Sequence, residues 1–119
     1  MAAPNIVGVT TITGKTAVLA VTTSALTFVS NPVSSAEIYK INTLIVSNID
    51  GVSAADITLS LVRSGIAYKL ASTISVPSDS TLILLSKDTS IYLEEGDSLQ
   101  LLGSANGDLQ AVCSYEVIS

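Results

Sequence analysis

The sequence predicts an all-β chain: a single antiparallel β-sandwich or jelly-roll domain of roughly eight to ten short strands. Three observations predict it. Apolar and polar residues alternate with period two over short runs, and turn-forming residues interrupt those runs at close intervals. Helix-favouring runs of Ala, Leu, Glu and Lys are scarce, while β-branched residues and Ser dominate. At 119 residues the chain suits one domain, residues 1-119, able to bury a core without metal or disulfide support.

Taken in chain order, "NIVGVTTI", "TAVLAV" and "LTFVS" read as strands. Residues 1-30 are the richest in Thr and the poorest in charge, which fits either an arm lying on a neighbouring subunit or a first pair of edge strands. In "EIYKINTLIVSNI", Tyr39, Ile41 and Ile45 fall on one face while Leu44 and Val46 make the other apolar as well, so a central or doubly covered strand is expected. In "ADITLSLVRS", Ile57, Leu59 and Leu61 alternate with Thr58 and Ser60. "AYKLASTISV", "STLILLS", "SIYLEE" and "DSLQLLGSA" follow. The clearest strand is "DLQAVCSYEVI", with Leu109, Ala111, Cys113, Tyr115 and Val117 opposite Gln110, Ser114 and Glu116.

The separators are Gly14-Lys15, Asn31-Pro32, Asp50-Gly51, Ser64-Gly65, Pro77-Ser78-Asp79, Glu95-Gly96-Asp97 and Asn106-Gly107-Asp108. Asn-Gly and Asp-Gly favour positive φ and tight hairpins, and Pro77 ends a ladder because it has no N–H to donate. "IYLEEGDSLQL" is therefore expected as a hairpin. Ile91 and Leu93 would point inward on one strand, Leu99 and Leu101 on the next, with Gly96 in the turn and the acids in water.

The chain is 48% hydrophobic and only 13% charged, with Ser and Thr about a quarter of all residues, so its polar surface is mostly hydroxyl. Such a surface suits a protein that buries part of its outside against copies of itself or a larger assembly. Mean hydropathy is +0.60, yet no window approaches the ~18 to 20 continuous apolar residues that span a bilayer. "MAAPNIVGVTT" lacks a basic segment ahead of an apolar core, so no secretory signal is expected and the mature chain is expected to start there.

The net charge is −5, and the cations are Lys15, Lys40, Arg63, Lys69 and Lys87, spread singly. No basic footprint exists for nucleic acid or for an anionic membrane surface.

With no histidine the usual general base and the commonest metal ligand are missing, and no nucleophile elbow occurs, so neither catalytic residues nor cofactors are expected. Gly14-Lys15-Thr16 ends a phosphate-loop pattern, but that pattern requires glycine where Val9 stands, which leaves a lysine-bearing turn. Cupin metal sites rest on histidines and are excluded in the same way. The remaining metal candidate is calcium, held by Glu94, Glu95 and Asp97 with help from Asp108 or a turn carbonyl; the alternative is a solvated turn. Cys113 reads as a buried small hydrophobe, and the sequence offers no second cysteine to bridge to. Tyr39, Tyr68, Tyr92 and Tyr115 are either half-buried strand residues or a carbohydrate-binding platform.

The C-terminal half carries Pro77-x-Asp79-x-Thr81-Leu82, then Ile91-Tyr92-Leu93-Glu94-Glu95-Gly96-Asp97-Ser98-Leu99, then Gly107-Asp108-Leu109 and Ser114-Tyr115-Glu116. In these motifs, in "APNIVGVTTITGKT" and in "INTLIVSNIDGVSAADITLSLVRSGIAYKLAST", the chain resembles small virion structural proteins of tailed phages, particularly those infecting marine cyanobacteria. The resemblance implies an all-β, non-enzymatic module displayed in many copies on the virion. The expectation is a head decoration or cement protein that self-associates as a homotrimer and binds the major capsid protein. A neck, tail or fibre component and a module binding host-surface carbohydrate are the alternatives.

Overall fold

The fold is taken from a computed structural model and described for Gly8 and residues 11–119. Nine strands are present among them: β1 (Ile12–Ala20), β2 (Leu26–Ser30), β3 (Ile38–Asn48), β4 (Ala55–Arg63), β5 (Ile66–Val76), β6 (Thr81–Leu85), β7 (Ile91–Leu93), β8 (Ser98–Gly103) and β9 (Leu109–Ile118). A 3₁₀ turn, Lys87–Thr89, separates β6 from β7.

Two antiparallel sheets form the sandwich. The first has the order β1-β9-β3-β6, and β7 also pairs with β3; the second has the order β2-β8-β4-β5. β6 pairs with residues 44–47 of β3 and β7 with residues 39–41, so together they make one interrupted edge strand. Counting them as one gives eight strand positions ordered 1-8-3-6 and 2-7-4-5, which is a jelly roll.

Only β4 and β5 are neighbours both in sequence and in one sheet. Their hairpin turns on Ser64 (φ 54°) and Gly65 (φ 76°), a pair of positive φ values that matches the twist of the flanking strands. Elsewhere the chain crosses between sheets, and that corrects the reading of residues 91–101. β7 belongs to the first sheet and β8 to the second, so Glu94 to Asp97 form a corner between sheets, not a hairpin. Leu93, Leu99 and Leu101 do point inward and are fully buried.

Two further expectations are corrected. Gly14 and Lys15 are not a turn: β1 runs straight through them, pairing Gly14 with Glu116 and Lys15 with Tyr115. A Gly-Lys pair in an edge strand needs no bend when a long, regular partner such as β9 templates it. Residues 12–30 are therefore edge strands of the sandwich, while the part of the proposed arm before Thr11 lies, Gly8 apart, outside the described residues. In β3, Ile41 and Ile45 do not share a face, because the register against β9 shifts between Ile41 and Thr43. That bulge at Asn42 moves Leu44 and Val46 onto the buried face with Ile41 and turns Ile45 outward.

The core is formed by the inward residues of both sheets. Ile41, Leu44, Val46, Leu93, Ala111 and Cys113 come from the first, and Val29, Ile57, Leu59, Leu99 and Leu101 from the second. At the end of β8, an added Cβ on Gly103 would lie 3.0 Å from Val21 Cγ1 and 3.3 Å from Leu109 Cδ1. Gly103→Ala is expected to overpack this corner and lower unfolding stability by about 1–2 kcal/mol in a urea titration.

Candidate functional site

Among the described residues, the acidic corner joining β7 to β8 holds the ion pairs Arg63–Glu94 and Arg63–Asp97. Gly96 has φ +88°, which only glycine adopts without strain, and Asp97 N–H donates to Glu94 O at 3.0 Å to close the turn. The turn is anchored to the end of β2: Gly96 N–H donates to Asn31 O (2.8 Å) and Asn31 N–H to Asp97 O (2.9 Å).

Asp97 is only 2% exposed. The expectation that these acids keep the turn in water fails for this residue. Arg63, at the end of β4, grips its carboxylate with Nε on Oδ1 (2.8 Å) and Nη2 on Oδ2 (2.6 Å). Oδ2 also accepts the Glu94 N–H at 2.9 Å. The Arg63 hydrogen bonds, joined by that backbone N–H, hold the Asp97 carboxyl below the usual carboxylate range, and the same pairing raises the guanidinium.

Glu94 reaches Arg63 Nη2 at 2.7 Å from a largely exposed side chain, which makes it a minor partner. Glu95 turns away and accepts the Ala36 N–H at 3.0 Å, tying down a loop in which Ser34 and Ala36 both have positive φ.

The three proposed calcium ligands thus share one corner but point to different partners. Arg63 already supplies the cation that Asp97 and Glu94 face, and Asp108 lies on the β8–β9 connection. A cleft of about 390 Å³, lined by Val33, Arg63, Ser64, Glu94, Glu95 and Asp97, opens beside them. Calcium added up to millimolar concentration is expected to leave the melting temperature unchanged, because binding would have to displace a bidentate arginine.

Sequence reading missed Arg63, Asn31 and Asn48. Asn31 is fully buried: its Nδ2 donates to Glu37 O (2.9 Å) and Leu93 O (3.0 Å), and its Oδ1 accepts from Ser35 Oγ (2.6 Å). Asn48, 2% exposed, does the same elsewhere in the sandwich. Its Nδ2 donates to Ser53 O (3.0 Å) and Val76 O (2.9 Å), and its Oδ1 accepts the Asp50 N–H (2.9 Å). A signal was present: the tripeptide Val-Ser-Asn closes β3 as residues 46–48 and runs off the end of β2 as residues 29–31.

The tyrosines do not form one platform. Tyr39 and Tyr115 stack on each other with ring centroids 5.6 Å apart, Tyr92 sits beside Lys40 in the first sheet, and Tyr68 faces Leu61 in the second. Cys113 is fully buried, and loss of hydration pushes its thiol up to about 12.

The geometry defines a jelly-roll sandwich whose acidic corner is tied together by one arginine of its own. No family model matches the chain, and no curated protein matches it. Among solved structures it is similar to a chain from Bacillus endospore appendages, described as a novel family of disulfide-linked pili. That match has a TM-score of 0.54 at 17% identity over 92% of this chain and 88% of the other, which is a likeness of fold.

Proposed function

We propose that the chain is a non-catalytic structural subunit working in many copies, and specifically a virion protein of a tailed phage that decorates or cements the head by binding the major capsid protein. The observation that carries it is a surface poor in charge and rich in exposed aliphatic side chains. Val18, Val33, Val52 and Ile83 are 64–88% exposed in a chain with only 13% charged residues. The phage assignment rests on the motif resemblance at residues 77–82, 91–99, 107–109 and 114–116 and in the opening and middle segments.

The shared fold with a pilus subunit supports the broader statement, a building block of an extended assembly, and favours a neck, tail or fibre component as the second reading. Those pili are disulfide-linked. Here the sequence's one cysteine is buried and its thiol is held protonated, so Cys113 offers no link between folded subunits. Many weak contacts then act together to hold the subunit in place.

The test is quantitative mass spectrometry of purified virions, with the protein located in an electron-microscopy map of the particle. Decoration of the head expects copy numbers on the order of hundreds, and a neck, tail or fibre role a few to tens, since stable attachment by weak contacts scales with multiplicity. Absence from the particle overturns the virion assignment.

A further inference from the structure

The outer face of the first sheet carries a transverse row of β-branched side chains that the fold leaves uncovered. Val18 pairs with Val112, Val112 with Ile45, and Ile45 with Ile83, so the four lie side by side across β1, β9, β3 and β6. Their inward neighbours Ala111, Leu44 and Val46 are buried, whereas Val18 is 74%, Ile83 64% and Val112 37% exposed. Period-two alternation thus puts apolar residues on both faces of this sheet at this level.

The adjoining rows are uncharged. On one side lie Ala20, Gln110, Ser47 and Thr81, with Ser47 and Thr81 hydroxyls 3.1 Å apart; on the other lie Thr16, Ser114 and Thr43. A groove of about 270 Å³ between β1 and β9 indents the row at Val18 and Val112.

We infer that this face is the self-association surface, pairing isologously with the same face of a second copy about a twofold axis. The inference rests on the structural-subunit reading and names its contact. Charge selects the occupant. The chain carries −5 overall, so copies approaching through an acid-bearing surface repel, and these three rows are a neutral surface on which two copies meet without that cost. A basic partner would find nothing to pair with there.

Pattern selects the symmetry. An apolar row between hydroxyl rows matches itself across a twofold axis, whereas a closed trimer needs two different complementary surfaces. The inference thus expects a dimeric unit where the sequence reading expects a homotrimer.

The free edge of β5 is a poorer candidate. Its register against β4 shifts twice, Thr73 sits at φ 53°, and Lys69 projects from it, all of which obstruct strand addition. The three neutral rows, four strands by about five residues, make a patch of roughly 19 by 17 Å, or about 650 Å² buried by two copies, which is the size of a weak contact and below the roughly 1,000 Å² of a stable specific interface. The pair is accordingly weak alone and effective in multiple copies.

Sedimentation velocity of the intact chain from about 1 μM to about 1 mM tests it. The wild type is expected to move from 12.2 kDa toward twice that mass. Val18→Asp with Ile83→Asp should weaken association more than about tenfold through desolvated charge, while Val52→Asp, 88% exposed on the β3–β4 connection, should not. Far-UV circular dichroism and melting temperature establish that the variants fold. Val112→Cys, close to the axis, is expected to form an interchain disulfide with oxidised glutathione, and Val52→Cys is not. Association that survives the double variant, or a threefold mass, overturns the face while leaving the structural-subunit reading in place. A wild type that stays monomeric throughout overturns both the face and self-association.

Discussion

Replacing Asn31 or Asn48 with alanine is expected to lower unfolding stability by about 3 kcal/mol each, more than any surface substitution in the chain. Each side chain satisfies two carbonyls and one donor, and no buried side-chain polar atom is left unpartnered among the described residues. Truncation removes three hydrogen bonds and strands carbonyls such as Leu93 O and Val76 O, where water enters poorly. The isosteric change to aspartate separates shape from chemistry. It fills the same volume but turns the two-proton donor into an acceptor facing two carbonyls, so it should cost at least as much as alanine. Chemical denaturation of the four single variants reads this directly. An aspartate variant as stable as wild type would show that these residues act by filling space.

These asparagines also mark where sequence reading stopped. Strand existence was legible, because inward residues such as Ile57 and Leu59, or Ala111 and Cys113, recur at every second position, and the sandwich class followed from that alternation. Sheet membership was not. A turn such as Glu95-Gly96-Asp97 has the same composition whether it folds a strand back in its own sheet or carries it across to the other. The difference is made by partners distant in sequence, Asn31 and Arg63. Alternation also fails at a bulge: one extra residue at Asn42 reverses which of Leu44 and Ile45 faces the core. The outer apolar row has the same origin. Val18, Ile45, Ile83 and Val112 are unremarkable singly, and only the register sets them side by side.

Asp97→Ala is expected to be the second severe substitution, at about 2–3 kcal/mol, attributed to the unsatisfied Glu94 N–H and the lost side-chain hydrogen bonds to Arg63. The charge part is discounted, because the guanidinium that faces Asp97 is half in water. Arg63→Ala should be destabilising in the same direction, since it leaves a 2% exposed carboxylate with the Glu94 N–H as its remaining partner in the corner. The pH dependence has a definite sign. Asp97 in the folded chain titrates below its unfolded value, near 3.9 for an ordinary aspartate. Its contribution is therefore complete above about pH 4 and is lost as pH falls through the folded value, because the unfolded chain binds the proton first. Melting temperatures from about pH 6 down to pH 2 should fall more steeply for wild type than for Asp97→Asn, which has no proton to take up. Parallel acid branches in the two proteins would mean that the Arg63–Asp97 pair contributes nothing to the pH dependence of folding.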